Sequence, residues 1–287
     1  MKNSLFLFFV FILALSIISC QKKPEKEKQD INTENPEIIS LTPSITKQLN
    51  LLKVYDQVVG HTSYCPSDSL NNSQLVSTGM EVNVEKIATL KPDLILVSSL
   101  TRDKIIENLK KLELDVRYLK MPQSFEEICE QFIQIGTMVD QEKKARDIIQ
   151  RQKTRLDSLQ SLIPNEEKLK FFIEIGANPL FTATNKSFMN DYVKYAKGIN
   201  VAADLKNGMV SRESVLSKNP DVIIIVTIGI VGKEEKKVWQ NYPNLKANKK
   251  NNIFIINADK ASSPTPISFV DVTEKIINLV YLQKNNP

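Results

Sequence analysis

Two glutamates open equivalent stretches of this chain. Asn83-Val84-Glu85 leads through Lys91-Pro92-Asp93 into Leu94-Ile95-Leu96-Val97, and Ser211-Arg212-Glu213 leads through Asn219-Pro220-Asp221 into Val222-Ile223-Ile224-Ile225. Glu213 follows Glu85 by 128 positions, and in each copy Pro and Asp follow the glutamate by seven and eight. Repetition at fixed spacing marks an internal duplication. Asn83 and Ser211 are good N-caps, which puts each glutamate in a first helical turn. There a carboxylate complements the helix dipole and gains about 0.3–1 kcal/mol. Helix stabilisation alone would account for either glutamate; two equivalent positions with equal flanks favour charge-mediated docking onto a partner. Catalytic chemistry finds little support. The chain has no Gly-x-Ser-x-Gly and no Gly-x-Gly-x-x-Gly, and its single histidine, His61, comes without a Cys-x-x-Cys, so no protein-built metal site is expected.

Regular alternation of strand and helix must position those carboxylates. Strands are expected at 38–41, 58–60, 94–97 and 115–119, with helices at 44–52 and 102–112. Such alternation predicts an α/β fold with parallel sheets flanked by helices and ligands at the carboxyl ends of strands. From a cap at Ser124, helical periodicity continues to about Leu162, and Pro164 ends it. Its stripe of Ala145, Ile148, Ile149, Gln152, Leu156, Leu159 and Leu162 falls on three- and four-residue steps. Part of this stretch, midway between the two repeats, reads as a single rigid strut running from one lobe to the other, which would keep lobe closure small. The pattern then restarts with a strand at 169–175, a loop at 176–182 and a helix at 187–197 capped by Gly198. The second repeat follows at 211–226, then a strand at 253–256, a loop marked by Pro264 and Pro266, and a closing helix at 270–282.

The amino terminus sets the compartment. Lys2 precedes an apolar run from Leu5 to Ile18, too short to span a bilayer comfortably. It ends in Ile17-Ile18-Ser19-Cys20, which resembles a bacterial lipobox with Cys20 as the lipidated residue. An ordinary secretory peptide would leave Cys20 incidental. Lipidation is favoured because seven charged residues crowd the segment from Lys22 to Asp30, a tether unable to bury a core beside an anchor held by several acyl chains. The expected organisation is a leader at 1–19, a tether at 20–36, a first lobe at 37–138, an interlobe helix at 139–164 and a second lobe at 165–287. Of 287 residues, enough remain for two ordinary lobes. Removing Lys2 with the leader takes the formal charge from +5 to +4, too mild and diffuse to indicate nucleic acid. Cys65 and Cys129 are either a disulfide or two unrelated thiols.

Four segments together resemble a known family. Ile39-Ser40-Leu41-Thr42-Pro43-Ser44-Ile45-Thr46, Val59-Gly60-His61-Thr62-Ser63-Tyr64-Cys65-Pro66 and the two Glu…Pro-Asp units are similar to the helical-backbone substrate-binding proteins of ABC importers for cobalamin, haem and ferric siderophores. Thr62-Ser63-Tyr64 and Asn178-Pro179-Leu180-Phe181-Thr182 bring the resemblance nearest to the cobalamin-binding proteins, and it runs from Ile38 onward. It implies a cleft between lobes, with Tyr64 and Phe181 on facing walls able to stack on a flat macrocycle, and Ser44, Ser98, Asn207 and Asp259 in cleft-lining loops. It also implies that Glu85 and Glu213 meet arginine pockets on a permease dimer driven by its ATPase. No catalysis and no resident cofactor are implied; the bound molecule is cargo, a corrinoid or an iron chelate. The expected protein is a monomer in the cell envelope, held to the membrane by its lipid. Relatives often wall the cleft with tryptophans, whereas this chain has only Trp239, read as a packing residue. A haem binder would use Tyr64 or His61 as axial ligand, though His61 beside strand residues reads as a hydrogen-bonded structural group. A siderophore binder would use cations such as Arg102, Lys120, Lys186 and Lys260. A lipoprotein enzyme on the same scaffold, or a surface lipoprotein feeding an outer-membrane transporter, are the rival classes.

Overall fold

A computed structural model describes residues 35–65, 72–78, 81–164, 168–227 and 230–282. The leader, Cys20 and the tether before Asn35 lie outside the described residues. Two sheets carry the fold. In the first, β1 (Ile38–Ser40), β2 (Val58–Thr62), β3 (Gln74–Ser77), β4 (Leu94–Val97) and β5 (Val116–Tyr118) run parallel in the order β3-β2-β1-β4-β5. In the second, β6 (Lys170–Ala177), β9 (Val222–Thr227) and β10 (Ile253–Asn257) are parallel. There β7 (Leu180–Thr182) returns antiparallel on β6, and the short β8 (Ile199–Asn200) also pairs with β6. Every residue of β4 is buried, as are Val222 to Val226 of β9. Burial on both faces is why these strands read as unbroken apolar runs.

The duplicated unit folds the same way twice. Asn83 caps α2 (Val84–Leu90) by accepting the Lys86 N–H at 2.8 Å, and Ser211 caps α7 (Arg212–Lys218) by accepting the Ser214 N–H at 3.2 Å. Both seven-residue helices end on a left-handed residue, Lys91 (φ 48°) and Asn219 (φ 45°), ahead of the proline that cannot continue the helix. The aspartate then ties the sheet. Asp93 accepts the Glu37 N–H at 2.8 Å and donates its own N–H to the Glu37 carbonyl at 2.9 Å. Asp221 does the same with Lys170, at 3.0 and 2.8 Å. Each Pro-Asp thus fixes where the central parallel pair begins, β1 with β4 and β6 with β9. Burial alone would raise the Asp221 pKa, but the Lys170 N–H and the Lys250 ammonium hold it below its ordinary value.

The other helices are α1 (Pro43–Leu52), α3 (Asp103–Lys111), α4 (Phe125–Met138), α5 (Glu142–Ser161), α6 (Met189–Tyr195), α8 (Ile230–Gln240), α9 (Lys246–Lys249), α10 (Ala258–Ala261) and α11 (Pro266–Ile277). The connection between the sheets is a pair of helices, with a break within the stretch of helical periodicity from 124 to 162. Asp140 takes a left-handed conformation (φ 53°), the Gln141 N–H closes back on the Gly136 carbonyl at 2.7 Å, and the 20-residue α5 packs against α4. No glycine or proline marks that break; a short polar side chain tolerates the αL region well enough to make it. Gly136 admits the close return, since a Cβ there would lie 2.9 Å from that of Ala145. Three further expectations change. The 176–182 loop contains β7, the helix expected from 270 starts at Pro266 behind a Thr265–Ser268 capping box, and Lys197, not Gly198, holds the left-handed turn (φ 51°) after α6. Gly198 is required by proximity instead, because a Cβ there would meet the Phe171 ring at 2.4 Å.

A stack of aromatic rings joins the helical layer. Phe269 of α11 stacks on Phe125 of α4 (centroids 4.6 Å) and on Tyr192 of α6 (4.7 Å), with Tyr195 edge-on to Phe125 and Phe269. The three stacked rings are buried, and Asp191 of α6 accepts the Phe125 N–H at 2.8 Å, capping α4 from the second lobe. Inside the second lobe Trp239 is fully buried and donates its Nε1–H to Glu174 at 2.6 Å. Burial first, then the adjacent Glu235, pushes Glu174 up to about 7, against the opposing pull of Trp239 and Arg212.

Phe269→Ala is expected to destabilise the protein by about 3–5 kcal/mol, measured by denaturant unfolding; a loss below about 1 kcal/mol would make the stack incidental. Glu174 sets a pH dependence. Because its folded pKa lies above the unfolded value, the folded state keeps a proton that the unfolded state releases. Stability should therefore fall as pH rises from the ordinary 4.5 towards about 7, and Glu174→Gln should flatten that slope. An unchanged slope in the variant would assign it to another group.

Candidate ligand cleft and docking helices

The carboxyl ends of the first sheet open into a cleft of about 770 Å³, the usual place for a ligand in parallel sheets. Leu41 and Pro43 contribute from the end of β1, Thr62 and Tyr64 from the end of β2, and Leu100, Thr101 and Arg102 from the turn after β4. The facing wall comes from the second lobe, through Ala258, Asp259, Ser262 and Ser263 at the end of β10. Tyr64 is 68% exposed, so its ring is available to a ligand and takes no part in the core. Lys47 of α1 reaches across, its Nζ donating to both the Asp259 carbonyl and the Asp259 Oδ1 at 2.8 Å. This clasp joins residues 212 positions apart and neutralises one cleft carboxylate.

Of the expected ligand residues, Tyr64 and Asp259 come together in this cleft. Ser98 lies beneath it: its buried hydroxyl is 2.9 Å from that of Thr42 and accepts the Leu100 N–H at 3.3 Å. It sits at the start of the turn that carries Leu100 to Arg102. Ser44 is buried in the first turn of α1. Neither serine is among the lining residues. Phe181 and Asn207 come together elsewhere. Phe181 bridges to Met209, whose N–H bonds to the Asn207 side chain at 3.3 Å, and Phe181 and Met209 are 37% and 53% exposed. That apolar patch belongs to the second lobe and is not part of the 770 Å³ cleft. The lining residues Leu100, Thr101, Ile105, Ser262 and Ser263 were missed. Their signal was position alone, directly after the apolar runs of β4 and β10.

Cys65, Cys129 and His61 are not among the residues lining the cleft. Cys65 is a free, buried thiol 3.0 Å from the Thr46 hydroxyl, and Cys129 is free and pushed up to about 12 by burial. The alternative of two unrelated thiols therefore holds. His61 Nδ1 lies 2.8 Å from the Ser73 hydroxyl, and burial followed by the Lys86 charge lowers its pKa. Among the described residues no cluster of His, Cys, Asp or Glu could hold a metal ion.

Glu85 and Glu213 both sit exposed in the first turns of α2 and α7, with the same sequence of exposure and burial around them. The Glu213 backbone N–H and the Ser211 hydroxyl hold the Glu213 carboxyl below its ordinary value. The two helices are anchored differently. Val84 packs into the first core, whereas Arg212 turns inward to Glu235 and lies 4.8 Å over the Trp239 ring.

Comparison with known proteins agrees with this geometry. The sequence profile of the periplasmic binding protein family matches residues 38–260. The uncharacterized ABC transporter substrate-binding lipoprotein YvrC of Bacillus subtilis is 29% identical over 260 residues, 88% of this chain and 82% of that protein. A vitamin B12-binding protein of Salmonella choleraesuis is 29% identical over 213 residues, 73% of this chain and 78% of its own. A solved structure of a possible iron-binding periplasmic solute-binding protein from Staphylococcus epidermidis superposes with a TM-score of 0.76 at 27% identity, covering 86% of this chain and 99% of that one. The periplasmic vitamin B12 binding protein of Vibrio cholerae superposes with a TM-score of 0.72 at 23% identity, over 88% and 99%, a likeness of fold. With two α/β lobes, a cleft at their strand ends and a profile match across both, the chain belongs to the periplasmic binding protein family and is a substrate-binding protein of the ABC transporter type, not an enzyme.

Proposed function

We propose that this chain is a lipid-anchored substrate-binding protein of an ABC importer that captures cobalamin or a related corrinoid and delivers it to the permease. The observation that carries the reading is the vitamin B12-binding relative, 29% identical across 213 residues, taken together with the exposed Tyr64 ring at the cleft. An aromatic face beside apolar Leu41, Leu100 and Ile105 suits a broad, flat macrocycle. The anchor would be Cys20, and the lipoprotein relative supports it. Ferric siderophore or haem is the second reading, favoured by the iron-binding likeness at 27% identity. The permease would meet Glu85 and Glu213, which stand exposed at equivalent helix starts; neither contributes to the cleft.

The experiment is titration of the soluble chain from residue 37 with cyanocobalamin, haem and ferric siderophores. Tight cyanocobalamin binding, weakened about tenfold in Tyr64→Ala, supports the corrinoid; a folded protein that ignores cyanocobalamin and takes an iron chelate replaces it. Docking is tested separately. Glu85→Lys combined with Glu213→Lys should abolish uptake in cells while leaving the affinity of the purified protein within about twofold, since the reversed charges lie outside the cleft. Uptake at the normal rate would remove the docking role.

A further inference from the structure

Charge in the cleft is distributed unevenly. Three charged side chains line it: Glu81, Arg102 and Asp259. Asp259 is already satisfied by Lys47. Arg102 has no carboxylate or carbonyl partner among the described residues, and it stands at the N-cap of the nine-residue α3 without capping it. The first amides of that helix therefore keep no side-chain acceptor, and unpaired amides at a helix start attract anions. An independent group points the same way. Thr101 is only 6% exposed, lines the cleft, and makes no side-chain hydrogen bond among the described residues. Its hydroxyl therefore keeps a donor free for a cleft occupant that supplies an acceptor. Thr101, Arg102 and the start of α3 lie on one wall of the lining, between the apolar Leu100 and Ile105.

We infer that Arg102, Thr101 and the start of α3 form a subsite for a single oxyanion carried by the transported ligand, a phosphodiester or carboxylate. Glu81 in the same lining, and Asp103 in the first turn of α3, argue against a polyanion: one localised negative charge fits and several would be repelled. The inference rests on the corrinoid reading above and sharpens it. The macrocycle would stack near Tyr64 while its charged appendage is held by Arg102.

The test compares cyanocobalamin, which carries a phosphodiester, with dicyanocobinamide, which lacks it. Each is titrated into wild type, Arg102→Leu, Arg102→Lys and Thr101→Val. Arg102→Leu should weaken cyanocobalamin about tenfold or more, and Arg102→Lys should recover part of the loss. Thr101→Val should cost less, and cobinamide should bind wild type and Arg102→Leu alike. Undiminished cyanocobalamin binding by Arg102→Leu overturns the subsite and leaves the corrinoid reading standing. Equal weakening of both corrinoids does the same, because the effect would then not follow the phosphodiester. If wild type binds neither corrinoid, the corrinoid reading falls first. Haem and its dimethyl ester then decide the subsite: preference for free propionates that vanishes in Arg102→Leu upholds it, and any other result overturns it.

Discussion

Phe269 is the contact on which the relative placement of the two sheets depends. Stacked on Phe125 of α4 and on Tyr192 of α6, it fuses helices from both halves of the chain into one layer. Large buried rings carry much of a core's energy and pack in few geometries, so this contact fixes angle as well as distance. From it, ties run to the cleft in both directions. The Tyr192 hydroxyl donates to the Ala261 carbonyl of α10 at 3.2 Å, and α10 carries Asp259. On the other side, the α1 residue Gln48 donates to Gln131 of α4 at 3.0 Å, and α1 carries Lys47. The Lys47–Asp259 clasp closes the circuit.

The duplication hides a difference in construction. Position by position, α2 and α7 share caps, length, left-handed terminus and Pro-Asp. Yet the residue before each glutamate is Val84 in one copy and Arg212 in the other. The first anchors by burying apolar surface, and the second by an ion pair to Glu235 beside the buried Trp239 and Glu174. The two glutamates are presented alike on different supports, one apolar and one ionic.

What could be read from the residues alone follows a physical division. The strands β4 and β9, the caps at Asn83 and Ser211, and the stop at Lys91 and Asn219 are local matters, encoded within a few positions. The break at Asp140 was hidden because an aspartate, unlike a glycine, does not advertise a left-handed turn. The tie from Asp93 to Glu37 spans 56 positions and the clasp from Lys47 to Asp259 spans 212; pairings of that reach leave no periodic trace. The same limit explains the cleft. Tyr64 and Asp259 were found by likeness to relatives and Arg102 was one cation among several, whereas Thr101 became visible only once the turn after β4 was folded.

A circuit of α1, α4, α11 with α6, and α10 behaves as a closed linkage. In an open chain of helices one hinge can swing freely; in a loop, no member can rotate unless another joint yields. Three of its joints are buried, made of stacked rings or hydrogen-bonded side chains. The fourth is the ion pair at Asp259, whose side chain is 68% exposed and therefore subject to screening by salt. Mechanical work applied to the molecule is relieved at its wettest joint, and that joint is set in the rim of the cleft.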